Sequence, residues 1–142
     1  TEAMMKIHQY TMMCAPVLSQ KAAIEALQNG RDDMSRMREE YLRRRNFICG
    51  SLNEMGLPCH LPRGAFYAFP YVGRFGMTSR EFSLRLLDEQ RVACVPGTAF
   101  GASGEGYIRC SYATNMDEIK EAMPRMAVFV KSLRKRRPGK SG

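Results

Sequence analysis

Residues 95–113 read VPGTAFGASGEGYIRCSYA, a glycine-rich loop that leads into a short stretch of alternating apolar and polar residues. The loop contains four glycines, which permit positive φ and a close approach of other backbone: Gly97, Gly101, Gly104 and Gly106. The alternation predicts a strand over residues 108–112, with Ile108, Cys110 and Tyr112 on one face. A flexible loop is therefore expected beside a stiff strand.

The strand carries one cation, Arg109, on the face opposite Ile108 and Cys110. A guanidinium binds a carboxylate through two parallel hydrogen bonds, which the ammonium group of lysine cannot form. A structural ion pair, or an arginine that reaches water from a half-exposed strand, would explain the same residue. Residue chemistry alone favours the structural role, and recognition of a planar anion is the alternative.

The loop does not have the pattern of a phosphate-binding loop. Such a loop opens a helix, whose N-terminal amides face the phosphate, whereas this loop opens a strand. The Gly-Lys-Ser or Gly-Lys-Thr ending of a P-loop is also missing. We therefore do not expect a nucleotide here.

The length and composition indicate one soluble domain with an appendage. The chain has 142 residues, 44% of them hydrophobic and 25% charged. No segment has the ~18 to 20 apolar residues of a membrane span, and no signal-peptide pattern is found. Five cysteines without a CxxC pair argue against a zinc site and favour reduced thiols in a cytoplasmic protein.

The net charge of +8 is concentrated at the end of the chain. The basic residues among the last twelve are Lys131, Arg134, Lys135, Arg136, Arg137 and Lys140. A nucleic-acid partner is one interpretation of such a run, but no aromatic residue lies between these cations. Cations are also favoured at a helix C-terminus. We expect a solvated tail, flexible over residues 138–142.

Apolar spacing and capping residues predict five helices. They cover residues 2–13, 18–27, 34–55, 78–90 and 117–134. Thr78, with Glu81 three residues on, is predicted to form a capping box that opens the fourth helix. Asp32 or Asp33 is expected to cap the third helix, and Met34 and Met37 are expected to begin its core-facing stripe. Pro124 should kink the last helix or shift its start.

Four short stretches are predicted as strands, at residues 59–61, 65–72, 92–95 and 108–112. From residue 34 onward the order is helix, strand, strand, helix, strand, strand, helix. This order predicts an α/β (α+β) two-layer fold, with helices on one face of a mixed or antiparallel sheet of about three to four strands. Arg109 would then lie on the uncovered face, which needs a partner or a ligand.

Five stretches of the chain carry a resemblance to a known family. They are KIHQYTMMCAP, SQKAAIEAL, PRGAFYAFP, RVACVPGTAFGASGEGYIRCSYA and DEIKEAMPRM. In this order they resemble the C-terminal third of class I/II pyridoxal-phosphate aminotransferases of fold type I, over residues 4–134. The first segment is most similar to the aspartate and acetyl-diaminopimelate aminotransferase branch. Residues 1–30 would end the large cofactor-binding domain and begin its connecting helix, and residues 31–137 would be the small C-terminal domain.

The resemblance also implies roles for single residues. Arg109 matches the arginine that grips the substrate α-carboxylate through a bidentate salt bridge, and Phe66 matches an aromatic residue near the substrate. Gly64 and Gly97 match turn glycines. Cys110 replaces a residue that is usually β-branched or small and apolar, with no expected effect on the chemistry.

The family's catalytic and cofactor-binding residues are not implied for this chain. The Schiff-base lysine, the aspartate that pairs with the pyridine nitrogen and the phosphate-binding loop belong upstream of the part resembled. Lys21 comes closest to the lysine's sequence context, but its position belongs to the connecting helix. The chain alone is therefore expected to be an inactive fragment. Its face toward the large domain would be bare, which favours self-association.

The resemblance implies a parent enzyme that transfers an amino group between an amino acid and a 2-oxo acid. It would use pyridoxal 5'-phosphate and act as a cytoplasmic homodimer. Other fold type I enzymes, such as lyases or decarboxylases, keep the same arginine and are the first alternative. A non-enzymatic module that binds nucleic acid or an acidic partner is supported by the basic tail alone.

Overall fold

The computed structural model describes residues 1–135, so the tail predicted at 138–142 lies outside the described residues. The chain divides into two compact units, Thr1–Glu39 and Glu40–Gly142. The first unit contains helix α1 (Glu2–Thr11), helix α2 (Val17–Asn29) and the beginning of helix α3 (Arg31–Glu54). The predicted helices at 2–13 and 18–27 are thus confirmed within a few residues.

The beginning of α3 corrects two predictions. The helix starts at Arg31, so Asp32 and Asp33 lie in its first turn, where carboxylates favour the helix dipole, and neither is the cap. Gly30 explains the early start, because its φ of −82° keeps the chain near helical geometry, and its carbonyl accepts from the Met34 N–H at 3.0 Å. The prediction that Met34 and Met37 are core is also wrong.

Both methionines are largely exposed, at 61% and 59%. They lie in the first unit, in which no residue is buried. This unit contains helices and no strand, and its apolar side chains form no buried core that the stripe could join. The stripe on α3 is core only farther along, where Ile48, Cys49 and Leu52 are buried.

The second unit is built around a three-stranded antiparallel sheet. Its elements after α3 are strand β1 (Tyr67–Ala68), helix α4 (Ser79–Gln90), strand β2 (Val95–Pro96), strand β3 (Ile108–Ser111) and helix α5 (Met116–Lys135). The strand order is β1-β3-β2, so β3 is central. This confirms the antiparallel form of the predicted sheet, with strands shorter than expected.

The strand predicted at 59–61 does not form. The side chain of Asn53, on α3, binds both backbone groups of Cys59: the Cys59 N–H donates to Asn53 Oδ1 at 3.0 Å, and Asn53 Nδ2 donates to the Cys59 carbonyl at 3.1 Å. A residue whose N–H and C=O are both engaged by a side chain has none left for a strand partner. This segment is therefore an irregular connection that Asn53 holds to the end of α3.

One core fills the space between the sheet and the helices. The alternation predicted for β3 is confirmed, because Ile108, Cys110 and Tyr112 are buried. The apolar stripe of α5 is buried as well, and it comprises Ile119, Met123, Met126, Phe129, Val130 and Leu133. The helix runs through Pro124 from Met116, one residue from its predicted start, so the proline does not shift that start.

The start of α4 confirms the predicted capping box. The Glu81 N–H donates to Thr78 Oγ1, and the Thr78 N–H donates to Glu81 Oε2. A second carboxylate, Glu105 from the glycine-rich loop, accepts from the Ser79 N–H at 2.7 Å and from the Gly106 N–H at 3.0 Å. These two backbone hydrogen bonds, that of Ser79 first, lower the pKa of Glu105 below its ordinary 4.5.

We expect Glu105→Gln to destabilise the protein at neutral pH and to do so less in acid. A lowered pKa means that the carboxylate contributes stability above about pH 4.5, and that this contribution is lost as the pH falls through the lowered value. Urea unfolding at about pH 7 and about pH 3 measures the difference. Glu39→Gln, at an exposed residue, is the control. A Glu105→Gln effect of equal size at both pH values would contradict the assignment.

Candidate substrate-binding site

Arg109 lies on the central strand and on the face away from the core. Its neighbours in sequence, Ile108 and Cys110, are buried, whereas Arg109 is half-buried and Ser111 is exposed. Arg109 is opposite Val95 in the register of β3 with β2. The expected separation of the arginine from the apolar face is therefore observed.

Two aromatic rings contact the guanidinium of Arg109. Its Cζ atom lies 4.3 Å from the ring centroid of Tyr67 and 4.5 Å from that of Phe100. Tyr67 belongs to β1 and Phe100 to the 3₁₀ turn after β2, and these strands flank β3 on opposite sides. The rings thus reach the guanidinium from the two sides of the central strand.

The polar edge of Arg109 has an unmet hydrogen-bonding requirement. Its Nε is buried and has no hydrogen-bond partner. No carboxylate within residues 1–135 forms an ion pair with Arg109, so the structural ion pair considered from the sequence is not found in this part of the chain. A buried charged donor without an acceptor is unfavourable. The arrangement suits an acceptor that these residues do not provide.

Phe66 lies beside this cluster and not directly on Arg109. Its ring centroid is 4.5 Å from that of Tyr67, and 42% of the residue is exposed. The backbone here is fixed by Tyr112, whose N–H donates to the Phe66 carbonyl at 2.9 Å and whose hydroxyl donates to the Ala65 carbonyl at 3.0 Å. The structure therefore brings Phe66 to Tyr67, and through Tyr67 to Arg109.

The glycines of the loop serve two different purposes. Gly101 and Gly106 have positive φ, of 120° and 82°. Gly97 and Gly104 instead pack backbone against backbone, because a Cβ on Gly97 would lie 2.0 Å from the Gly104 carbonyl oxygen. This contact closes the loop that carries Phe100. Gly64, in contrast, has space for a Cβ, and it is the next residue, Ala65, that adopts positive φ.

We expect Gly97→Ala to lower the free energy of unfolding by about 2 to 3 kcal/mol, because the added methyl group meets backbone that must move. Gly50→Ala is the matched control. It adds the same atom on an exposed part of α3, where nothing lies within 4 Å, and should stabilise by about 0.5 to 1 kcal/mol. Urea unfolding measures both, and equal effects would contradict the close contact.

Sequence reasoning did not assign Tyr67 and Phe100 to the site. The antiparallel pairing of β1 with β3 explains the position of Tyr67. Tyr67 pairs with Ser111, and Ser111 is on the same face of β3 as Arg109. No comparable signal exists for Phe100, because its position depends on the path of the loop. The pattern of residues 97–106 does not give that path.

The thiols and helices add little chemistry to this site. Burial is the main cause that raises the pKa of Cys49 to about 12, so this thiol stays protonated. Within residues 1–135 no group of three or more His, Cys, Asp or Glu side chains could hold a metal ion. None of the helices described is long and apolar enough to cross a membrane.

Comparison with known proteins identifies the family. The model of the family described as aminotransferase class I and II matches residues 2–126. The chain belongs to this family. It is 56% identical over 129 residues to the putative aminotransferase YugH of Bacillus subtilis, covering 91% of this chain and 33% of that protein. The chain thus spans about a third of the length of the curated relatives that it matches.

Other relatives agree with the branch expected from the sequence. The chain is 48% identical over 126 residues to a probable N-acetyl-LL-diaminopimelate aminotransferase of B. subtilis, covering 89% of this chain and 32% of the relative. Among solved structures, the aromatic aminotransferase of Pyrococcus horikoshii has a TM-score of 0.86 at 48% identity, over 94% of this chain and 36% of that one. The fold and the family resemblance are thus confirmed.

Aminotransferases of this family depend on pyridoxal phosphate, which is bound through a Schiff-base lysine. The lysines whose side chains are described, Lys6, Lys21, Lys120 and Lys131, are all exposed. An exposed lysine lacks the desolvation that activates an amine for Schiff-base formation. None of these four lysines therefore has the environment of a Schiff-base lysine, and the described residues by themselves do not fit the cofactor.

Proposed function

We propose that this chain provides the carboxylate-binding part of an aminotransferase, with Arg109 as the residue that binds the substrate α-carboxylate. The supporting observation is the buried Nε of Arg109, which has no partner and lies on the open face of the sheet. In an aminotransferase family, the planar anion common to every amino-acid and 2-oxo-acid substrate is the α-carboxylate. A bidentate pair of N–H groups matches its two oxygens.

The role of Arg109 would be to orient the substrate as well as to bind it. A carboxylate held by two parallel hydrogen bonds has few rotational alternatives, so the groups on its α-carbon take one orientation. Phe66, half-exposed next to Tyr67, would contact the substrate beside the carboxylate. The parent protein would transfer an amino group between an amino acid and a 2-oxo acid with pyridoxal 5'-phosphate.

We further propose that residues 1–30 belong with a larger cofactor-binding domain and that residues 31–137 form the small domain that closes the site. The first unit supports this, because apolar side chains that a larger domain would cover are exposed on α1 and α2. Examples are Ile7, Leu18 and Leu27. The parent protein would be a cytoplasmic homodimer, and the chain alone would self-associate through these side chains.

Transamination by the full-length protein tests the proposal. The protein is incubated with pyridoxal phosphate, 2-oxoglutarate and, in turn, aspartate, phenylalanine and alanine, and all amino and oxo acids are quantified. We expect glutamate and the new 2-oxo acid to form in equal amounts from at least one donor. Release of carbon dioxide or ammonia without glutamate formation would instead assign a decarboxylase or a lyase.

A further inference from the structure

The guanidinium of Arg109 is held by two rings and by no hydrogen bond at Nε. We infer that Tyr67 and Phe100 are positioning residues, which fix the plane of the Arg109 guanidinium and thereby the orientation in which a carboxylate binds. The inference rests on the proposed function. It assigns to these two aromatic residues the role of holding the Arg109 guanidinium in place.

An arginine on a half-exposed strand has four rotatable side-chain torsions, and holding one rotamer costs entropy. Hydrogen bonds or ion pairs usually hold a functional arginine in place, but none of the ion pairs within residues 1–135 includes Arg109. The two ring contacts, at 4.3 Å and 4.5 Å, are well inside the distance for cation–π attraction. They are therefore the contacts that restrict the guanidinium.

Each ring is itself supported. Tyr67 is fixed by its pairing with Ser111 across β1 and β3. Phe100 packs against Phe69, with ring centroids 6.0 Å apart, and Phe69 stacks on Tyr107 at 5.8 Å. The closed glycine loop limits the backbone on which Phe100 sits. Both rings are thus held in place by their neighbours and can restrict the orientation of the Arg109 guanidinium.

Rings on a guanidinium leave its N–H groups directed outward in its own plane. A ligand must then approach the edge, where two donors face a carboxylate side by side. Half of Phe100 is exposed, so burial in the core does not account for its position. Two ring contacts on one guanidinium therefore favour planar, bidentate recognition over a diffuse attraction between charges.

Kinetics of the full-length protein loaded with pyridoxal phosphate test the inference. Tyr67→Leu and Phe100→Leu should each lower kcat/KM for the amino acid by about five- to tenfold. With the amide of the same amino acid, which lacks the carboxylate, the two leucine variants should have nearly the same kcat/KM as the unmodified protein. Tyr67→Phe and Phe100→Tyr keep a ring, so their kcat/KM for the amino acid should be within about twofold of that of the unmodified protein. Phe47→Leu is the control, because the ring of Phe47 is partly exposed, lines the groove between α3 and α5, and is not one of the rings around Arg109.

A second readout does not depend on activity. With 15N-labelled arginine and no substrate, NMR exchange measures rotation of the Arg109 guanidinium about its Nε–Cζ bond. We expect rotation several-fold faster in Tyr67→Leu and in Phe100→Leu than in the unmodified protein and in Phe47→Leu. Unchanged rotation in both leucine variants would overturn the inference.

The two proposals fail in different ways. If Arg109→Leu greatly lowers kcat/KM while Tyr67→Leu and Phe100→Leu behave like Phe47→Leu, the positioning role is wrong and the proposed function stands. If Arg109→Leu has no effect on kcat/KM, the proposed function itself is wrong. Faster guanidinium rotation with a selective loss for the carboxylate substrate supports both.

Discussion

Replacing Arg109 by leucine in the full-length protein is expected to lower kcat/KM for the amino-acid substrate roughly 150-fold, which corresponds to a loss of about 3 kcal/mol of transition-state stabilisation. The leucine removes both hydrogen bonds to the carboxylate and leaves that anion at a half-buried apolar position. The loss should appear in KM and in kcat, because the role proposed for Arg109 is both to bind and to orient the substrate. Steady-state kinetics at several donor concentrations measure the two constants separately.

Two further variants make this prediction specific. Arg109→Lys keeps the charge but not the planar pair of donors, and we expect it to lose about half as much transition-state stabilisation as Arg109→Leu. Arg80→Leu removes an equal charge from the exposed side of α4 and should leave kcat/KM unchanged. An Arg109→Leu enzyme within threefold of the unmodified protein, with unchanged urea unfolding, would contradict carboxylate binding by Arg109.

Phe82→Ala is expected to lower the free energy of unfolding by about 4 kcal/mol. Phe82 is fully buried on α4, where its ring meets Phe129 of α5 edge to face at 5.1 Å and Phe75 at 6.0 Å. Removing the ring leaves a cavity at the junction of the two helices. Urea unfolding of the chain followed by circular dichroism measures the change.

Two milder substitutions accompany this variant. Phe82→Leu retains most of the volume and should cost about 1 to 2 kcal/mol, so it gives a measurable value even if the alanine variant is unfolded. Leu84→Ala removes an apolar side chain from the same helix where it is 55% exposed, and should cost less than about 1 kcal/mol. Equal effects of Phe82→Leu and Leu84→Ala would contradict the described core.

Local chemistry predicted the parts of the fold in which sequence and structure are coupled over a few residues. The capping box of Thr78 and Glu81 defines the start of α4, and the alternation around Arg109 defines the faces of β3. The prediction that Met34 and Met37 lie in the core failed, because a periodic apolar stripe shows which side of a helix is apolar but not whether a neighbour covers that side. The same spacing continues into the buried part of α3.

The site was predictable in its central residue and less so in its surroundings. The alternation of residues 108–112 predicted the place of Arg109 on the open face of the sheet, whereas its role in carboxylate binding was implied by the family resemblance and stays a prediction. The strand predicted at 59–61 failed because Asn53, six residues before Cys59, provides both hydrogen bonds that a strand would need. The contact of Phe100 with Arg109 depends on the backbone packing of Gly97 against Gly104, which composition does not reveal.

The most direct test of carboxylate binding compares an amino acid with its primary amide, in the full-length protein and in Arg109→Leu. The amide differs at the carboxylate alone, so the four values of kcat/KM form a thermodynamic cycle. We predict that the unmodified protein prefers the acid by about 2 to 3 kcal/mol and that Arg109→Leu loses nearly all of this preference. A preference of the same size in both proteins would show that another residue binds the carboxylate.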